Sequence, residues 1–218
     1  IALGEARRIN EARTGESPRV ASNLVSIATV YGAQGAWQAE LDTYDRALAI
    51  YRTRLAADDV QLVPVLGGRA SALDHLDRVE ESMQANTDLI AFIERTDTTT
   101  LNLPITLYNR GELQARTGRC AGALADYARS AAGFEAQRGP TSSYLVYPLV
   151  GQGRCLVIAG RGDEAIAPLE RAIGLQTQGG DALQAALANA WLGRALVATG
   201  RDRTRGRAVQ HGLLQQEQ

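Results

Sequence analysis

The chain contains 218 residues with a formal net charge of −1, and all 23 of its basic residues are arginine. A balance this close to neutral gives no electrostatic reason for the whole chain to bind nucleic acid or a membrane surface, so we expect neither partner. The length exceeds the roughly 100 to 150 residues of a typical domain, yet no linker divides the sequence, so we expect one continuous body.

The opening residues 1–15 already have helical periodicity, which indicates a helix left over from a truncated repeat of a larger protein. The exclusive use of arginine is typical of proteins from high-GC bacterial genomes. The two cysteines, Cys120 and Cys155, lack CxxC spacing and neighbouring histidines. We interpret them as reduced, partly buried thiols of a cytoplasmic protein that needs no metal or cofactor. No run of about 18 apolar residues predicts a transmembrane helix.

The sequence repeats itself at a nearly constant interval. Related segments begin at Gly35, Asp77, Gly118, Gly160 and Gly200, so the steps are 42, 41, 42 and 40 residues. A steady period near 41 is typical of a stacked array of structural repeats.

Each repeat has the same internal plan. A small residue stands seven positions before each segment start, and a leucine stands four positions earlier in four of the five copies. Apolar residues recur again six and thirteen positions after the start. We therefore predict helix, tight turn, helix, with the segment start in the left-handed backbone conformation that glycine adopts without strain. The predicted divisions are 1–15 (leftover helix), 17–57, 59–99 (degenerate), 101–140, 142–180, and 182–218 (fifth repeat with a C-terminal cap).

The tripeptide Arg161-Gly162-Asp163 spells an adhesion signal, but it falls on this predicted turn. The equivalent positions of the neighbouring repeats are predicted to form the same turn, although their residues are not Arg-Gly-Asp. We therefore predict that Gly160 ends one helix and that Asp163 lies at the start of the next.

Gly151 and Gly153 lie inside a predicted helix, where each costs about 1 kcal/mol relative to alanine. We predict that a close approach between helices offsets this cost. A phosphate-binding loop is the alternative, but the segment lacks the third glycine of GxGxxG and no strand precedes it.

The residues at equivalent positions of the aligned repeats resemble those of the tetratricopeptide repeat. The segments NRGELQARTGRCAGALADY and GQGRCLVIAGRGDEAIAPLERA place glycine and alanine twelve residues apart, as Gly111 with Ala123 and as Gly153 with Ala165. The family period is 34, so a period near 41 resembles the kinesin light chain type. This resemblance implies an all-α fold, a right-handed α-solenoid of stacked helical hairpins whose first helices line a concave groove.

The closing segments YPLVGQGRCLVIAGRGDEAIAPLERAI and LANAWLGRALVATGRDRTRGRA also resemble the repeats appended to bacterial serine/threonine protein kinases, especially those of myxobacteria. The resemblance implies a regulatory segment of a signalling protein. No kinase motif occurs in the chain itself. Of the two histidines, His75 follows Asp74 at the end of a predicted first helix, where a surface or cap role is favoured over catalysis. No serine or cysteine has a base at a helical spacing that would activate it, so we predict no catalytic residue in this segment.

The tetratricopeptide resemblance also implies which residues face the groove. In the third to fifth repeats these residues are Tyr108, Asn109, Glu112, Arg116, Val150, Gly151, Arg154, Ile158, Ala190, Trp191, Arg194 and Ala198, and Tyr147 is expected beside them. Guanidinium groups bind carboxylates and aromatic faces suit an extended peptide, so we expect an acidic or carboxylate-bearing peptide or protein as the partner. The alternative is that the arginines pair with acids such as Glu112 and that Trp191 belongs to the core.

Overall fold

The computed structural model describes residues 17–96, 100–176, 181–202 and 204, and within these ranges all regular structure is helical. Nine α-helices lie in them: α1 Pro18–Ala33, α2 Trp37–Arg54, α3 Leu62–His75, α4 Val79–Thr96, α5 Asn102–Arg116, α6 Cys120–Arg138, α7 Val146–Ile158, α8 Gly162–Gln176 and α9 Ala182–Thr199. A 3-10 turn, Ser143–Leu145, precedes α7. The predicted helix at 1–15 and the C-terminal cap at 205–218 lie outside the described residues.

The chain divides into two compact units, 1–102 and 103–218. The sequence did not indicate this division, because it contains no linker at that point. In the first unit α1 packs on α2, α2 on α3 and α3 on α4. In the second unit α6 packs on α7, α7 on α8 and α8 on α9. The expectation of an all-α fold is confirmed.

The turns between paired helices have the predicted backbone conformation. All five segment starts have positive φ: 71° at Gly35, 56° at Asp77, 76° at Gly118, 74° at Gly160 and 69° at Gly200. An L-residue with a side chain is strained in this region, which explains why four of the five positions are glycine. The prediction of a tight left-handed turn at each segment start is confirmed.

The small residues of the first helices lie where helices pack against each other. Ala28 is fully buried, Ala70 is 2% exposed, and Gly111, Gly153 and Gly193 are buried as well. Small side chains let neighbouring helices approach closely, and leucines one turn away, such as Leu24 and Leu107, complete the core.

The degenerate second repeat keeps the hairpin although polar residues replace its usual small and aromatic ones. Ser82 is fully buried and its hydroxyl donates to the Ala70 carbonyl oxygen across the hairpin at 2.8 Å. Buried Asn86 donates to the Ser82 carbonyl oxygen at 2.8 Å. Because these buried polar groups have hydrogen-bond partners, their burial is tolerated.

Glu40 is the exception to this pairing of buried polar groups. It stands five residues after Gly35, where the third and fourth repeats have alanine, and it is only 7% exposed. Its Oε2 atom has no hydrogen-bond partner among the described residues. Burial raises the pKa of the Glu40 carboxyl, while the charge of His75 acts in the opposite direction.

We expect Glu40→Ala to be more stable than the parent chain by about 1 kcal/mol at pH 8, because it removes a buried carboxylate whose Oε2 atom has no hydrogen-bond partner among the described residues. A raised folded pKa means that the native state retains a proton which the unfolded state has lost. Stability therefore falls as pH rises from the ordinary glutamate pKa through the raised one. Urea denaturation should show the gap between variant and parent shrinking as pH is lowered toward about 4.5. The control is Asp42→Ala, which removes a carboxylate from the exposed side of the same helix; a gap of equal size at both pH values would contradict the prediction.

Candidate functional site

The residues predicted to face the groove lie on α5, α7 and α9, the first helices of the three hairpins in the second unit. Those on α5 and α7 lie around Tyr127 on α6, whose side chain is fully buried. A Cβ at Gly111 would lie 2.8 Å from the Tyr127 ring, and one at Gly151 would lie 2.6 Å from it. Glycine at both positions is therefore what allows the ring to fit between α5 and α7.

The hydroxyl of Tyr127 joins a polar cluster with two of the predicted groove residues. It donates to Glu112 Oε1 at 2.5 Å and accepts from an Arg154 guanidinium nitrogen at 2.9 Å. The same Arg154 nitrogen donates to Glu112 Oε1 at 2.8 Å. The side chains of Glu112 and Arg154 are 28% and 27% exposed, so the ion pair is largely withdrawn from water.

Burial and charge shift the ionisation of this cluster. Burial raises the pKa of Tyr127, and the charge and hydrogen bond of Glu112 raise it further. Burial alone would lower the pKa of Arg154, but its pKa is raised because the charge and hydrogen bond of Glu112 outweigh burial. Arg154 thus remains charged and paired with Glu112. The sequence had left two roles open for this arginine, and the structure shows the one in which it pairs with an acid of the groove.

Two further tyrosines extend the cluster toward α7. The ring of Tyr108 lies 6.1 Å from that of Tyr127 and makes an edge contact with Tyr147 at 5.9 Å. Both Tyr108 and Tyr147 are partly exposed. Paired aromatic rings that remain partly exposed provide apolar area with a polar rim, as peptide-binding surfaces do.

Trp191 and Arg194 form a separate pair on α9. The guanidinium carbon of Arg194 lies 4.6 Å from the centre of the Trp191 ring, and the Arg194 side chain is exposed. Trp191 is partly buried and packs against the core cluster that contains Leu169 and Leu192. Trp191 therefore both contributes to the core and provides a platform for an exposed cation.

The other predicted groove residues have different surroundings. Asn109 and Arg116 are exposed on α5. Val150, in contrast, is only 5% exposed, so its placement in the groove was wrong. Gly151 is buried as well, because the Tyr127 ring packs against α7 at this residue.

A second polar network was not predicted from the sequence. Arg110 on α5 donates to both carboxylate oxygens of Asp126 on α6, each at 2.7 Å, and Gln114 donates to the same carboxylate at 2.9 Å. Asp126 is only 3% exposed. Such a bidentate pair fixes the two helices of the hairpin relative to each other. The only sequence signal was an acid directly before Tyr127.

The charged groups of the RGD tripeptide are engaged within the protein. Arg161 donates to Glu164 through two bonds of 2.7 and 2.6 Å, and Asp163 pairs with Arg201 at 2.7 Å. Helix α8 begins at Gly162 and places Asp163 in its first turn. The interpretation of this tripeptide as a turn is confirmed.

The cysteines are not arranged for metal binding. Cys120 is partly buried and Cys155 fully buried, and both are free thiols. Burial raises the pKa of the Cys155 thiol to about 12, helped by a hydrogen bond with Cys120. Within residues 17–96, 100–176 and 181–202, no group of three or more His, Cys, Asp or Glu side chains could hold a metal ion.

Comparison with solved structures identifies the fold. BtubC (BKLC) from P. vanneervenii superposes with a TM-score of 0.82 over 98% of this chain and 85% of that protein, at 16% sequence identity. A protein of nearly identical kinesin light chain TPR-like repeats from Podosopora anserina gives 0.74 over 90% and 93%, at 15% identity. The chain has the fold of a tetratricopeptide-repeat array. YrrB, described as a TPR protein with an unusual peptide-binding site, gives 0.64 over 96% and 91%, at 15% identity.

The predicted resemblance to tetratricopeptide repeats of the kinesin light chain type is thereby confirmed at the level of fold. No protein-family model and no curated protein sequence matches the array. None of its described helices is long and apolar enough to cross a membrane.

Proposed function

We propose that the second unit is a non-catalytic interaction module that binds a peptide or protein on the face formed by α5, α7 and α9. The observation that carries this proposal is the pair of Trp191 and Arg194. Arg194 is exposed over the indole ring, and among the described residues it has no carboxylate partner. An accessible guanidinium held on an aromatic platform is suited to a carboxylate of a partner. The peptide-binding site ascribed to YrrB supports the same use of the fold.

The charge of these three helices favours an acidic partner. Helices α5, α7 and α9 carry four arginines and a single acid, Glu112, which Arg154 and Tyr127 already engage. Arg110 is held by Asp126. With these pairs formed, the exposed guanidinium of Arg194 attracts a segment that is rich in Asp or Glu or that ends in a free carboxylate.

The test measures binding of fluorescein-labelled ten-residue peptides by anisotropy at low ionic strength. Three peptides share one apolar sequence and carry four glutamates, four glutamines, or four lysines. We expect the glutamate peptide to bind most tightly and Arg194→Gln to weaken its binding at least fivefold. Arg154 is retained, because it supports the fold through Glu112.

Arg129→Gln is the matched control, because Arg129 is exposed on the second helix α6 and away from the proposed face. Equal binding of the glutamate and glutamine peptides would reject the acidic partner. An equal loss in Arg129→Gln and Arg194→Gln would reject the proposed face.

We further propose that the array is the sensor or regulatory segment of a larger, cytoplasmic bacterial signalling protein. The second candidate function is intramolecular regulation of a serine/threonine kinase, favoured by the resemblance of residues 147–208 to kinase-appended repeats. Searching the coding sequence upstream of Ile1 for kinase motifs tests whether the parent protein is a kinase. Comparing phosphorylation by the parent with and without the array then tests the regulation, and equal activity would reject it.

A further inference from the structure

A cleft in the first unit is lined mainly by the second helices of its hairpins. Helices α2 and α4 form its walls and α3 contributes its floor. Its volume is about 660 Å³, within the range of small-molecule sites. The lining residues are Asp45, Leu48, Ala49, Arg52, Leu66, Arg69, Ala85, Asp88, Ala91, Phe92 and Arg95.

One end of this cleft continues into a smaller apolar compartment of about 260 Å³. The two spaces share Leu48, Arg52, Leu66 and Phe92. Beyond the shared residues, the compartment is lined by Leu55, Ala56, Ala57 and Leu62. A molecule that entered at Arg52 would therefore meet a charged side chain and an apolar space in direct succession.

The charged groups of the cleft divide into engaged and available ones. Arg69 pairs with Asp45 at 2.6 Å, and Asp88 accepts a hydrogen bond from Gln84 at 2.8 Å. Arg52 and Arg95 are exposed, and among the described residues neither pairs with a carboxylate. Arg95 lies over the Phe92 ring at 5.6 Å, which holds its guanidinium beside an apolar part of the cleft lining.

We propose that this cleft binds a small carboxylate that bears an apolar or aromatic group. Arg52 and Arg95 hold the carboxylate, and the apolar group lies against Leu48 and Phe92 and extends toward Leu62. Guanidinium groups match the carboxylate in geometry, and the apolar compartment contributes the burial that an anion alone could not. Asp45 and Asp88 at the other end of the cleft oppose a more highly charged anion, so the ligand carries a single negative charge.

Titration calorimetry with octanoate and 4-phenylbutyrate tests this site on the full chain. Acetate lacks the apolar group, 4-phenylbutyramide lacks the charge, and 4-phenylbutylamine reverses it. We expect octanoate or 4-phenylbutyrate to bind at least tenfold more tightly than each of these three. Binding should also raise the melting temperature, because the ligand stabilises the folded state.

Arg52→Gln and Arg95→Gln should each weaken binding about tenfold. Arg54→Gln is the matched control, since Arg54 is exposed on the same helix and does not line the cleft. Ala49→Glu provides an independent check, because Ala49 is exposed in the cleft and an added carboxylate there should abolish binding. Circular dichroism confirms that each variant is folded.

Several results would overturn the proposal: acetate binding as well as octanoate, the neutral amide binding as well as 4-phenylbutyrate, or an equal loss in Arg54→Gln. Absence of heat and of any melting shift with both acids at millimolar concentration would overturn it as well. None of these results bears on peptide binding by the second unit, so the two proposals fail separately.

Discussion

Replacing Tyr127 by alanine is expected to destabilise the second unit by about 3 to 5 kcal/mol. The ring is fully buried between α5 and α7, and Gly111 and Gly151 leave no side chain that could fill the space it vacates. The loss therefore combines the transfer of an aromatic side chain with a cavity that cannot collapse.

Tyr127→Phe separates the ring from its hydroxyl. The phenylalanine ring fills the same space, and Arg154 still pairs with Glu112 at 2.8 Å. Only the two hydrogen bonds of the hydroxyl are lost, so we expect a cost of about 1 to 2 kcal/mol.

Urea denaturation followed by Trp191 fluorescence measures both Tyr127 variants. A Trp37→Phe background removes the other tryptophan, which belongs to the first unit. Equal costs for the alanine and phenylalanine variants would mean that the hydroxyl, and not ring packing, dominates the role of Tyr127.

The Tyr127 hydroxyl also predicts a pH dependence. Because the folded pKa of Tyr127 is raised, its contribution to stability is fully present below about pH 10 and is lost as pH rises above that value. Tyr127→Phe should therefore lose less stability than the parent between pH 9 and 11. A parallel fall in both proteins would contradict this assignment.

The repeat plan could be predicted because it depends on local backbone requirements. A left-handed turn needs glycine, and a close helix contact needs a small residue, so both requirements recur visibly at a fixed interval. Asp77 shows the limit of this signal. Its φ of 56° matches the left-handed turns of the other repeats, although the residue is not glycine. The period itself, rather than any single residue, was the reliable indication of the fold.

The partners of charged side chains could not be predicted in the same way. Arg154 and Glu112 are 42 residues apart, and their pairing depends on how α7 lies against α5. The cleft around Arg52 and Arg95 was missed for the same reason, because it forms only when α2 and α4 stand over α3. Helical periodicity indicates which side of a helix is apolar, but not which long side chain meets which partner across helices.

Glu40 was missed for a different reason. The expectation of a small residue at its position came from the third and fourth repeats, where alanine stands. A buried carboxylate at this position departs from the repeat pattern. Such a departure is found by comparing each residue of a repeat with the residues at the equivalent position of the other repeats.

Gly153→Ala is expected to destabilise the second unit by about 2 kcal/mol, although alanine is the better helix former by about 1 kcal/mol. A Cβ at Gly153 would lie well inside van der Waals distance of the branched end of Leu169, which is fully buried on α8. Because the core around Leu169 is closed, the helices must separate or the leucine must leave its rotamer.

Gly174→Ala is the matched control within the same hairpin. Gly174 is exposed on α8, and a Cβ there would meet nothing within 4 Å. We therefore expect this change to stabilise the unit, by up to about 1 kcal/mol. Opposite signs for the two glycine-to-alanine changes would show that packing, and not helix propensity, determines the residue at position 153.

A double-mutant cycle with Leu169→Ala assigns the clash to its partner. Leu169→Ala alone should cost about 2 to 5 kcal/mol, because it opens a cavity in the core. In that background the added methyl group of Gly153→Ala has room, so the second change should cost little or even stabilise the unit. Denaturation curves of the four proteins give the coupling energy, which we expect to be about 2 kcal/mol. Additive costs would instead place the strain in the backbone of α7, and the predicted close approach of α7 to α8 would then no longer explain Gly153.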